Sequence, residues 1–176
     1  NYGGRKSNNS LSSAKMRKAN KLRAVKHMQR LINANFGSGD FFCRFSAPYG
    51  TYETEEEFRK EVGKWLYRIN YRLKKQGKGR LKYIAFIECG KSGKNWHIHI
   101  IVSKEARELL SEQWPYENGQ NFTPLYKNEN FKKLAEYITK DLTGKEDVDA
   151  AQKRMMTSRN LTKPESVTRK AKRKEI

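Results

Sequence analysis

The chain runs to 176 residues, enough for one domain with modest extensions. With 36% hydrophobic residues, no apolar run near the roughly 18 residues of a membrane span and no secretory hydrophobic region, it reads as a cytoplasmic protein without a membrane partner. Lysine and arginine number 38 against 19 acidic residues, a net charge of +19. The two cysteines, Cys43 and Cys89, are too few for a disulfide framework and are expected as reduced thiols.

The charge is unevenly spread. Residues 1–39 hold nine basic and no acidic residues, residues 153–176 hold nine basic and two acidic, and the middle, 40–152, is nearly neutral. Two basic arms on a near-neutral body suit a polyanion, and nucleic acid is the usual one. An anionic membrane surface fits less well, because the arms lack a large hydrophobic face with aromatic anchors. A solubilising surface alone does not explain so one-sided a bias.

Residues 1–12 are polar and glycine-rich and are expected to be disordered. From Ser13 to about Asn33 the spacing of Met16, Ala19, Leu22, Val25, Met28 and Ile32 is helical, and the rest of that helix is mostly basic. "FGSGD" breaks it, and "FFCRFSA", residues 41–47, reads as a first strand. Thr54 and Glu57 form a capping box for a helix whose apolar stripe is Phe58, Val62, Trp65, Leu66, Ile69 and Leu73; Lys74, Lys75 and Gly77 mark its end. "LKYIAFIE", 81–88, and "WHIHIIV", 96–102, read as the two strands of a hairpin. A short helix "KEARELL", a loop, a further strand in "NFTPLY" and a helix over 128–142 follow. The remainder is basic, with residues 166–176 a basic tail. This order predicts an α+β architecture, an antiparallel sheet with helices packed on it, over residues 13–165.

The hairpin carries candidate metal ligands. His97 and His99 alternate with isoleucines, so both imidazoles leave the same face of one strand. Glu88 shares the face of Ile84 and Phe86 on the partner strand, and the turn brings it toward His97. Two imidazoles and a carboxylate suit Mn²⁺, Zn²⁺ or another divalent first-row ion, with positions left open for substrate oxygens. A pair of packed strand histidines is the alternative reading. A structural zinc site with cysteine is disfavoured, because no C-x-x-C occurs and Cys89 alternates away from Glu88.

In the helix 128–142, Phe131, Leu134, Ala135, Ile138 and Leu142 form the apolar face. Tyr137 falls on its flank, with Lys133 and Lys140 further round. A tyrosine so placed is a candidate nucleophile toward phosphorus, and the ammonium groups would steady the developing charge. Alone, Tyr-x-x-Lys on a helix is a weak signal.

Together "HIH" at His97–His99 and "YITK" at Tyr137–Lys140 resemble the HUH endonuclease superfamily, and most nearly the rolling-circle replication initiators (Rep proteins) of small plasmids and single-stranded DNA phages. "SRNLTKP", Ser158–Pro164, is similar to a segment some of them carry. The resemblance implies an antiparallel sheet of about five strands. It implies a divalent ion, Mn²⁺ or Mg²⁺, on His97, His99 and Glu88. It also implies that Tyr137 attacks the scissile phosphate of single-stranded origin DNA, leaving a 5′-phosphotyrosyl strand and a free 3′-OH, with Lys140 assisting. Host helicase and polymerase would be partners. The match departs from the family in two places. "FFCRFSAP" only loosely echoes the first-strand motif, and no second tyrosine stands one turn after Tyr137, where the residue is Asp141. A single-tyrosine mechanism follows. "CGKSGKN" is not a phosphate loop, since Ala85 stands where the first glycine is needed.

DNA-binding candidates are Lys91, Lys94 and Trp96 at the hairpin, Arg44 on the first strand, Lys133, and Arg154, Arg159 and Asn160 near the end. The basic arms could grip origin duplex through phosphates. A mobilisation relaxase or single-tyrosine transposase would use the same residues on other DNA. A non-catalytic nucleic-acid-binding protein would need neither metal nor Tyr137.

Overall fold

The computed structural model describes residues 14–126, 128–143 and 155–165. Helix α1 (Ala14–Asn35) leads into β1 (Phe41–Ser46), α2 (Glu55–Lys75), the hairpin β2 (Ile84–Cys89) and β3 (Trp96–Val102), α3 (Arg107–Gln113), β4 (Gln120–Pro124), α4 (Lys132–Thr143) and β5 (Met155–Thr157). The five strands make one sheet in the order β4-β1-β3-β2-β5, every neighbouring pair antiparallel. The α+β fold expected from the sequence is therefore the one observed. No described helix is long and apolar enough to cross a membrane.

Helices cover both faces of the sheet. On one face, Phe45, Ile98, Ile100 and Val102 pack against Phe58, Val62, Trp65 and Ile69 of α2 and Leu110 of α3. Trp65 and Trp114 sit 4.8 Å apart, and the Trp65 indole N–H donates to the Leu110 carbonyl at 3.1 Å, which ties α2 to α3. On the other face, Ile84, Phe86 and Ile101 pack against Val25, Met28 and Ile32 of α1 and Ala135 and Ile138 of α4. A strand buried on both faces reads as a nearly continuous apolar run, which is what β2 and β3 show.

The capping box of α2 is formed as the sequence predicts: the Thr54 hydroxyl accepts from Glu57 N–H, and the Glu57 carboxylate accepts from Thr54 N–H. Other boundaries differ from expectation, each for a local reason. The strand expected from 81 starts at Ile84, because Leu81 N–H is taken by the Asn70 side chain of α2 at 2.9 Å. The helix expected from 128 opens as a tight 3₁₀ turn, Asn128–Phe131, and becomes α-helical only at Lys132; Asn130 and Phe131 have φ of 50° and 59°, which no right-handed helix continues through. The short helix after β3 likewise begins as a 3₁₀ turn over Lys104–Ala106 and extends to Gln113. The strand expected over 121–126 runs Gln120–Pro124, and β1 ends at Ser46. Nothing in the sequence pattern signals strand β5, since three residues carry no readable alternation. The expected stripe of α1 holds only at Val25, Met28 and Ile32; Met16 and Leu22 are 57% and 56% exposed. The segments expected as a disordered start, 1–12, and a basic tail, 166–176, lie outside the described residues.

The segment after β5 is bound to the body by its polar side chains. Tyr83 N–H donates to the Ser158 hydroxyl at 2.9 Å, and Ser158 N–H returns a bond to the Tyr83 carbonyl at 3.0 Å. The Asn35 amide at the end of α1 donates to the Thr162 carbonyl and accepts from Thr162 N–H, at 2.9 and 2.7 Å. "SRNLTKP" is thus in large part a clasp between α1 and the segment that leads into β2.

Candidate metal centre and its surroundings

Strand β3 is the middle strand of the sheet, and its alternation sorts its side chains cleanly. Ile98 and Ile100 are fully buried toward α2, while His97 and His99 face the α1–α4 side. The register sets Glu88 of β2 directly opposite His97, and Phe86 opposite His99. A tight turn of residues 90–95 fixes that register: Gly90 N–H donates to the Asn95 carbonyl, and Gly93 takes a φ of 73°. A Cβ on Gly90 would meet the Asn95 Cβ at 3.1 Å.

Glu88 Oε2 lies 2.9 Å from Nε2 of His97 and 2.9 Å from Nε2 of His99. One ligand atom from each residue lies within 4.8 Å of the other two, and this is the one such His/Cys/Asp/Glu group among the described residues. The hydrogen bonds of the two rings differ. His97 Nδ1 stands 3.2 Å from the Asn95 carbonyl, which can only accept, so Nδ1 is the donor there. That leaves its Nε2, 2.9 Å from the Glu88 carboxylate, as the atom that would turn to a divalent ion. In His99 the buried Nδ1 has no hydrogen-bond partner among the described residues, and its Nε2 lies against the Glu88 carboxylate. Burial above all, with His97 beside it, pushes His99 below the ordinary imidazole range, and Glu88 offsets this only in part. The neutral imidazole is the form that binds metal. The donor set therefore fits a divalent ion.

The ring of His99 is clamped. Phe42 of β1 stacks on it at 5.4 Å and 13°, and Phe86 of β2 at 4.7 Å and 18°. The sequence reading missed both phenylalanines as parts of the site; only the strand register reveals them. Tyr137 reaches this face from α4. Its ring meets Phe42 edge-on at 6.0 Å and His99 at 6.2 Å, and it is 43% exposed, on the flank of a helix whose Phe131, Ala135 and Ile138 are buried. Leu134 is half-buried, and the side chain of Leu142 lies outside the described residues. Lys133 and Lys140 are exposed on the same helix.

The remaining candidates divide. Arg44 pairs in register with His99 on one side and Asn121 on the other, and Phe42, Arg44, His99, Asn121 and Thr123 line a cleft of about 260 Å³ beside the histidines. Lys91 and Lys94 are exposed on the hairpin turn. Trp96 stands apart from these. It leaves the sheet on the α2 side, opposite to His97, where it is half-buried, stacks on Phe58 at 6.3 Å and donates its N–H to the Tyr52 carbonyl at 3.1 Å. Alternation along the strand sends it there, to the face opposite to the histidines. Asn160 donates to the Arg80 carbonyl at 2.9 Å, in the clasp after β5. Arg159 is exposed in the same segment, and Arg154 lies outside the described residues.

The family model of the replication-associated protein ORF2 matches residues 50–146, more than half of the chain. The chain belongs to this family. The matched span runs from the approach to α2 through the β2–β3 hairpin to the end of α4, so it contains Glu88, His97, His99 and Tyr137. No curated protein and no solved structure matches the chain. As a member of the replication-associated protein ORF2 family, the protein is a replication initiator-type protein.

Proposed function

We propose that this replication-associated protein is an HUH-type, single-tyrosine DNA nickase and rejoining enzyme that initiates rolling-circle replication. The observation that carries the proposal is the convergence of Glu88, His97 and His99 on one point, with the Tyr137 ring 6.2 Å from that of His99. Two imidazoles and a carboxylate would hold the divalent ion, Mn²⁺ or Mg²⁺. When bound, it supplies charge neutralisation at a phosphoryl oxygen.

The chain's own residues do the rest. The phenylalanine clamp fixes His99, and the Asn95 carbonyl fixes the His97 ring. Arg44, with Asn121 and Thr123 beside it, offers a basic, hydrogen-bonding cleft through which the substrate strand can approach. Tyr137 Oη attacks the phosphorus in line. The P–O3′ bond breaks, the phenolic proton leaves to solvent, and the departing 3′ oxygen takes up a proton. One phosphodiester is exchanged for another, so the reverse reaction rejoins the strand. Lys140 and Lys133, on the same helix, favour the charge that develops. The free 3′-OH would prime a host polymerase, with a host helicase opening the duplex.

The test is a covalent adduct. With labelled single-stranded DNA from its replicon's origin and Mn²⁺, the protein forms an SDS-resistant adduct, and Tyr137→Phe forms none. An adduct undiminished in Tyr137→Phe would sink the mechanism, as would no adduct on any origin strand.

A further inference from the structure

The first ten residues of α1, 14–23, are all exposed apart from a half-buried Asn20, whereas the helix from Val25 onward lies on the sheet. Helical rotation of about 100° per residue puts Arg17, Lys18 and Lys21 on the line that Val25, Met28 and Ile32 continue. Where the helix lies on the body this line is apolar, and where it leaves the body the same line is basic. Lys15, Arg23, Lys26 and Arg30 run along the opposite side. No acidic residue occurs anywhere in Ala14–Asn35. The exposed half therefore carries cations on two sides, with Met16, Ala19 and Leu22 between them. These apolar residues turn away from that line and are exposed, and a helix meant for a lipid surface would carry a broad apolar face with Phe, Trp or Tyr anchors, none of which α1 has.

We infer that the exposed half of α1 is a docking element for the major groove of duplex DNA, held by phosphates on both groove walls. A helix about 10–12 Å across fits a groove about 12 Å wide. Only a duplex offers phosphates on two sides at once, which matches cations on two sides of one helix; a single strand has one row. The basic track continues past the groove. His27, Arg30, Arg159 and Lys163, against the one acidic Glu165, border a cleft of about 550 Å³ between α1 and the segment after β5, where the flanking phosphate backbone would lie. This face is made by α1 and β5, and Arg44, His99 and Tyr137 take no part in it. The inference assigns a second DNA surface to the chain and does not depend on the proposed cleavage chemistry.

The experiment measures binding by the whole chain in EDTA, so that no cleavage can occur. A labelled 20-base-pair duplex of mixed sequence and each of its single strands are titrated by fluorescence anisotropy over a range of salt. The combined variant Arg17→Gln, Lys18→Gln, Lys21→Gln and Arg23→Gln keeps helix-compatible side chains at exposed positions, and circular dichroism checks its fold. It is expected to bind duplex at least tenfold more weakly, with the slope of log K against log salt reduced by roughly three to four. Its affinity for the single strands changes less, and its adduct formation on single-stranded origin DNA is unchanged. Arg17→Lys with Arg23→Lys keeps duplex binding. An unchanged duplex affinity and slope overturns the inference, as does an equal loss on duplex and single strand. Tighter binding of the wild type to anionic vesicles than to duplex does so too. If wild type and variant differ on duplex as expected while no adduct ever forms, the docking surface stands and the nickase reading falls.

Discussion

At the scale of single residues, the site is governed by what His99 cannot do. Clamped between two phenylalanines, it has no room to turn away from Glu88, and burial disfavours its charged form. Its folded-state pKa is lower than the ordinary 6.5, so between the two values the unfolded chain binds more protons than the folded one. The associated stability is complete above about pH 6.5 and is lost as the pH falls through the depressed value. Thermal unfolding in EDTA should therefore show a falling Tm below about pH 6.5. His99→Phe, whose ring suits the same slot, should lessen that fall. At pH 7.5, millimolar Mn²⁺ should raise the Tm of the wild type and leave the double variant His97→Ala, His99→Ala unmoved, since a ligand that binds only the folded state stabilises it. The double variant should also lose cleavage while keeping much of its DNA binding. A Tm unaffected by Mn²⁺ in the wild type would speak against a metal centre.

At the scale of elements, α2 is the support behind the histidine strand. Its Phe58, Val62, Trp65 and Ile69 pack under Ile98 and Ile100, and these hold the backbone from which His97 and His99 project. Its start depends on Thr54. Thr54→Ala leaves donors of the first turn unsatisfied and should cost about 1 kcal/mol, read as a Tm lowered by about 2–4 °C. Mn²⁺ affinity should not change, because α2 packs on the face of the sheet opposite to His97 and His99. This element was fully legible beforehand: a capping box, an acidic first turn and a clean stripe all signal the same helix. The hairpin was legible in outline, with Glu88 expected near His97, while the register that sets the two directly opposite each other comes from the pairing. The start of α4 was not, since a 3₁₀ turn with two left-handed residues carries the same apolar letters as a helix. Trp96 shows residue type and position pulling apart: an indole in a basic turn suggests DNA stacking, but its place next to His97 assigns it to the opposite face by alternation alone.

At the scale of the whole molecule, two layers of helix enclose one sheet, and Cys43 reports on whether that enclosure is intact. It is fully buried between the sheet and α2, and burial pushes its thiol up to about 12 despite the opposing influence of Arg107. The thiolate is the reactive form, so the native protein should resist alkylation at Cys43 at pH 8. Iodoacetamide followed by mass spectrometry should label the half-buried Cys89 first and Cys43 only as the whole fold opens, with labelling of Cys43 rising through the denaturant transition. Rapid labelling of Cys43 in native conditions would mean that the α2 layer lifts off on its own. What the sequence left unread at this scale was the long-range closure: Met155–Thr157 as a fifth strand, and the reach of Phe42 and Phe86 to His99 across strands separated in the chain. Those contacts depend on pairing, and neither periodicity nor composition encodes pairing across some 70 residues (Phe86 to Met155).

The two outer strands bear on how many copies can work side by side. A sheet ends in rows of unpaired amide and carbonyl groups, and a long flat row invites a second copy to add on. Here β5 is three residues long, and β4 is five residues ending in Pro124, which has no N–H to give. The flank that would otherwise be the long, apolar β2 is covered by β5, and β5 is itself clasped by Ser158 and Thr162. Among the described residues, both edges of the sheet are thus blunt ends rather than templates for a further strand.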